Sequence, residues 1–135
     1  MIVFLSCVKT KNDKTCRAED MYTSDLFKKS LAYAKTLRPK QIYILSAKYG
    51  LLKPGDIIAP YNKTLVGATK LQAKRWAVMV YKQMLSESID FAEDAIFLCG
   101  NNYRKYLMQK FPNGTAPLEH LGIGQQKQFY ANKLK

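Results

Sequence analysis

Three short apolar runs constrain this chain more than any other feature. They are I-V-F-L-S-C-V from Ile2, Q-I-Y-I-L-S-A from Gln41 and A-I-F-L-C-G from Ala95. Each has the length of a strand and is rich in β-branched or aromatic residues, with little polar alternation. Helical patterns separate them. Ser24 is suited to cap the first helix and Asp25 to its first turn; Phe27, Leu31 and Ala34 then recur at helical spacing, and Pro39 stops the helix near Leu37. From about Thr69 to Ser88, Ala73, Trp76, Ala77, Val80 and Met84 form a second apolar stripe. Asn101 to Lys110 reads as a short helix, Ala116 to Leu118 as a fourth short strand and Gln125 to Leu134 as a closing helix. Continuous apolar strands alternating with helices predict an α/β fold. The expected form is a three-layer Rossmann-like sandwich with a mainly parallel sheet, one domain over residues 1–135.

In such sheets ligands bind beyond the carboxyl ends of the strands. That rule selects Ser6 to Lys9, Ser46 to Thr64, Gly100 to Tyr103 and Leu121 to Gln125, which are rich in Gly, Pro, Ser, Asn and Tyr. The longest of these presents Ser46, Lys48, Tyr49, Gly50, Asp56, Pro60, Tyr61 and Thr64. Gly50 permits a tight turn, and Pro54 and Pro60 stiffen what reads as a long functional loop. Cys7 and Lys9 after the first strand, with Asn101 and Asn102 after the third, complete the expected binding set around one concave site.

Charge points to the partner. Lys plus Arg is 22 against 10 for Asp plus Glu, a formal net charge of +12. No acid occurs from Ile57 to Ser86, where Lys63, Lys70, Lys74, Arg75 and Lys82 lie. Such a field attracts polyanions, so nucleic acid, DNA first, is the expected partner, with Lys63, Arg75 and Lys82 on its backbone. The three cysteines form no C-x-x-C pair and there is a single histidine, His120, so no structural metal is expected. No P-loop and no G-x-G-x-x-G follows a strand, and no cofactor is expected. The apolar runs fall far short of the ~20 residues of a membrane span, and the cysteine usage fits a reduced, cytoplasmic setting.

The segment S-A-K-Y-G-L-L…P-Y-N-K-T-L, from Ser46 to Leu65, resembles the core of a family of bacterial and phage domains. Further matches are S-C-x-K at Ser6, Cys7 and Lys9, Y-x-S-x-L-F at Tyr22, Ser24, Leu26 and Phe27, and a G-x-G turn at Gly122 and Gly124 before Gln125. A similar core occurs in the peroxide-stress YaaA family, associated with DNA binding and protection. A looser resemblance links it to the uracil-DNA-glycosylase-like domain of archaeosine synthases. These resemblances imply a uracil-DNA-glycosylase-like sandwich with nucleic-acid or nucleobase business.

The leading expectation is therefore a glycosylase-like hydrolase acting on a modified base in DNA. Cutting an N-glycosidic bond needs a stacking ring, a carboxylate to position water and steady a cation-like sugar, and a donor to the departing base. Tyr49 or Tyr61 would stack, Asp56 would be the catalytic carboxylate, and Lys48 the catalytic donor. Uracil-DNA glycosylases place an acid or amide just after an early strand; Cys7-Val8-Lys9-Thr10 offers no acid, and His120 does not clearly reproduce their late histidine. Two alternatives stand beside this one: a non-catalytic DNA-binding or base-sensing module, and a nucleotide-binding enzyme or sensor.

Overall fold

The structure is a computed structural model that describes residues 1–6 and 11–135. Its elements in chain order are β1 (Ile2–Ser6), β2 (Cys16–Arg17), α1 (Ala18–Met21), α2 (Asp25–Thr36), β3 (Gln41–Ser46), β4 (Gly50–Leu52), β5 (Ile57–Ile58), α3 (Lys70–Ser86), β6 (Ala95–Leu98), α4 (Asn101–Arg104), a single 3₁₀ turn (Met108–Lys110), β7 (Gly114–Thr115) and α5 (Ile123–Lys133). Five strands form one sheet in the order β4-β3-β1-β6-β7. β1 lies at its centre, parallel to β3 on one side and to β6 on the other, and β6 is parallel to β7. The three apolar runs thus share one parallel sheet. The chain leaves β1 for β3 and later returns past β1 to β6, so the strand order reverses there.

Register explains the layers. Phe4 pairs with Tyr43 and Phe97 across the sheet, and its ring stacks on both, at 5.6 Å and 4.7 Å. Phe111 and Phe91 extend this aromatic layer to Tyr81 of α3. On the opposite face Leu5 pairs with Leu98, beneath Phe27 of α2 and Tyr130 of α5. Helices therefore cover both faces, and the result is a three-layer α/β sandwich. Its core includes fully buried Val3, Phe4, Leu5, Ile44 and Leu45, consistent with their unbroken apolar runs.

The cap expected at Ser24 forms, and α3 carries one of its own. Ser24 Oγ accepts from Phe27 N, and Thr69 with Gln72 forms a reciprocal capping box at the start of α3. α2 ends at Thr36, with Leu37 as its C-cap. Several boundaries differ. The fourth strand is Gly114–Thr115, not Ala116 to Leu118. Pro117 has no N–H to give a ladder, and Leu118 is buried instead. The segment from Asn101 to Lys110 divides into α4 and the 3₁₀ turn rather than forming one helix. The stretch expected as one long loop also carries two strands. β4 turns back antiparallel on β3, and β5 pairs with β2.

Candidate functional site

The S-A-K-Y-G-L-L segment forms a tight hairpin sealed against α3. Ser46 is fully buried, and its hydroxyl accepts from the backbone N of Lys48 and Tyr49, closing the turn. Its carbonyl accepts from Trp76 Nε1 at 2.9 Å. Gln83 then clamps both sides of Gly50: Oε1 accepts from Leu51 N at 2.8 Å, and Nε2 donates to Tyr49 O at 3.0 Å. Gly50 itself has φ +78°, and a Cβ there would collide with Gln83 Oε1. This recognisable core is thus held by its own backbone polar groups and by α3.

The residues expected to do chemistry from this segment are occupied in the same way. Asp56 is exposed in a turn, where Oδ2 accepts from Lys53 N at 2.8 Å. Its backbone carbonyl accepts from Ala18 N. Lys48 is exposed, with Nζ 5.2 Å from the centre of the Tyr49 ring. Tyr49 packs edge-on against Tyr61 and donates to Ala59 O. Tyr61 is buried, its hydroxyl 2.7 Å from that of Tyr22. Pro60 and Thr64 are exposed. Tyr49 and Tyr61 thus pack within the segment, unlike the open stacking rings expected of them.

A recess opens where the strand order reverses, beyond the carboxyl ends of β1 and β6. Its volume is about 280 Å³, near the lower end of ligand clefts at roughly 300–1,000 Å³. Leu98, Phe27 and Tyr130 form its apolar walls, and Ser6, Asn102 and Gln126 bring polar groups. Asp25 and Lys127 add one charge of each sign, and Asp25 is paired with Lys29 at 3.2 Å. Cys99 also lines the recess; its thiol donates to Phe4 O, and burial pushes its pKa far above the ordinary thiol value. Burial likewise raises the Tyr130 phenol, which stays protonated at neutral pH.

Beside this recess runs a groove of about 490 Å³. Lys63 and Arg75 line it with Thr64, Gln72, Trp76 and Met79. The two cavities share Val66. Two of the three residues expected on a phosphate backbone thus lie on one groove, and the third, Lys82, is exposed two turns further along α3.

Of the expected binding set, Asn102 lines the recess and Asn101 lines a smaller adjoining cavity with Arg104 and Glu119. Cys7 and Lys9 lie outside the described residues. Ser46, Lys48, Tyr49, Gly50, Asp56, Pro60 and Tyr61 line none of these cavities. The expected gathering of Lys48 and Tyr49 with Asn101 around one site is not what these cavities display; the hairpin instead adds β4 as the edge strand beside β3. Ser24, Asp25, Gln126, Lys127 and Tyr130 were not singled out for the site. Three of the four strand-end segments, those that start at Ser6, Gly100 and Leu121, nevertheless supply residues to its walls. His120 has a side chain 90% exposed beside Glu119, which separates it from any enclosed chemistry. Among the described residues no cluster of three or more metal-ligating side chains occurs, and no helix is long and apolar enough to cross a membrane.

Fold and recess together define a small doubly wound α/β protein with a ligand-sized recess at its switch point. The chain belongs to the family described as a family of unknown function (DUF6884), whose profile matches residues 2–132. No curated protein matches it. Neither comparison links the chain to the YaaA or archaeosine-synthase families, and most of the motif behind that expectation builds the hairpin.

Proposed function

We propose that this protein acts on nucleic acid, DNA first, and accommodates an extruded base in the recess beyond β1 and β6. The observation that carries this reading is the meeting of two unlike cavities at Val66. One has apolar walls with amide and hydroxyl groups, suited to a base and its polar edge. The other has two cations and no acid, suited to the adjoining phosphates. Lys127 places a further cation at the recess. The net charge of +12 supplies long-range attraction for a polyanion.

A second reading, glycosylase-like hydrolysis, is favoured by Asp25. It is the carboxylate among the residues lining the recess, and such a group could position water against a glycosidic carbon. Asp56 and Lys48 are not assigned this work, since one is engaged in a turn and the other is on the surface.

Binding of labelled DNA, plain and base-modified, separates these readings. Asn102→Ala is expected to reduce the preference for a modified base over its plain counterpart. Lys63→Glu with Arg75→Glu is expected to weaken all DNAs alike, because phosphate contacts carry no base identity. Absence of DNA and RNA binding at low salt would overturn the proposal. Alkali-labile sites that form with the wild type and vanish in Asp25→Asn would select the hydrolase.

A further inference from the structure

The outer face of α3 carries an apolar column that is more than half exposed. Leu71, Val78 and Leu85 are 56%, 54% and 53% exposed, whereas Trp76, Ala77, Val80 and Met84 face the core. The three exposed residues are spaced by seven, so each lies nearly above the last, drifting only about 20° per step. They span about 21 Å of helix. Cations border the column on both sides. Arg75 and Lys82 follow one flank; Lys74 and Lys110 follow the other, held 5.7 Å and 4.7 Å from the centres of the Tyr106 and Tyr81 rings. No acid lies between Ile57 and Ser86.

We infer that this face docks an acidic amphipathic helix of a partner protein, with aliphatic residues at heptad spacing and carboxylates on either side. A facing helix supplies knobs at the same seven-residue interval, and carboxylates at its flanks meet the cations, as flanking charges do in paired helices. The other occupants fit less well. A second copy would bring cations against cations along both flanks. A membrane surface needs a broad apolar face of roughly 100° or more, and this column is one residue wide between charges. Nucleic acid would use the cations but leave the aliphatic column without a complement. The inference does not rest on the reading of the recess, although Arg75 at one flank also lines the adjoining groove.

The test uses the full chain and a synthetic helical peptide with leucines at heptad spacing flanked by glutamates. A matched peptide with lysines in place of the glutamates serves as control. The acidic peptide should bind and the basic one should not. The triple substitution Leu71→Gln, Val78→Gln, Leu85→Gln should lower acidic-peptide affinity by at least about tenfold. It should leave DNA affinity within about twofold and the thermal transition unchanged, since all three side chains are more than half exposed. Three further measurements decide among occupants: binding to phosphatidylserine-containing vesicles, binding to duplex DNA, and sedimentation of the chain alone. Equal peptide binding by wild type and triple variant would overturn the inference. So would a triple variant that instead loses vesicle binding, DNA binding or self-association.

Discussion

At the scale of single residues, the most demanding position is Gly50. Its φ of +78° lies in the left-handed region, and Gln83 occupies the space a side chain would need. Gly50→Ala should therefore cost about 2 kcal/mol or more in chemical denaturation, through backbone strain and steric conflict together. Gln83→Ala should cost about 1–3 kcal/mol, because Leu51 N–H and Tyr49 C=O lose their partner near the sheet edge. The double variant should lose less than the sum of the two single losses, since removing Gln83 relieves the conflict at residue 50. Strict additivity would mean that φ strain alone makes Gly50 necessary. Cys99 allows a chemical check. Its thiol is held protonated by burial, so at about pH 8 it should alkylate far more slowly than an unfolded-chain cysteine, as read by site-resolved mass spectrometry. Rapid labelling would indicate that the recess wall opens.

At the scale of elements, apolar patterning located the three central strands and the long helices, because burial on both faces leaves a direct trace in sequence. Ser24 marked the start of α2 for the same local reason, whereas the capping box of Thr69 and Gln72 emerged only in the structure. The β4 hairpin was harder to read. Gly50-Leu51-Leu52 is too short to display periodicity; it is a strand through antiparallel pairing with β3, and Gln83, more than thirty residues away, clamps its turn. Distance also hid the role of Tyr61, whose hydroxyl meets that of Tyr22 across thirty-nine residues; Asp56, by contrast, accepts from Lys53 N three residues back, a local turn contact. The strand-end rule found the segments around the recess. The opposite wall, from Ser24 to Ser30 and from Gln126 to Tyr130, required knowing that α2 and α5 lie side by side. One helix end offers a direct gain. Ser88 follows α3 with φ 57°, while Ile89 N bonds Met84 O in the six-to-one pattern of a Schellman motif. Ser88→Gly should raise stability by about 1 kcal/mol, seen as a higher Tm at unchanged denaturant m-value. A lower Tm would mean that the serine side chain contributes more than its left-handed backbone costs.

At the scale of the whole molecule, surplus positive charge and the positions of particular cations make separable contributions. Every surface Lys and Arg adds to the field that draws a polyanion in, but only cations that touch phosphate release counterions on binding. Lys63 and Arg75 line the groove beside the recess, while Lys82 lies about 10 Å further along α3. Each Lys→Glu or Arg→Glu change alters net charge by the same two units, so the three variants have equal effects on the overall field. Under the proposed function they differ in slope. Loss of Lys63 and Arg75 together should flatten the dependence of log affinity on log salt by about 2, since each phosphate contact contributes about 0.9. Lys82→Glu should lower affinity at low salt and leave the slope unchanged. The measurement is a salt titration of DNA binding for each variant. If the three positions flatten the slope equally, the groove has no special part in binding and the polyanion simply follows net charge. If Lys63 and Arg75 alone do so, the phosphates pass along the groove that joins the recess at Val66, where an extruded base would enter.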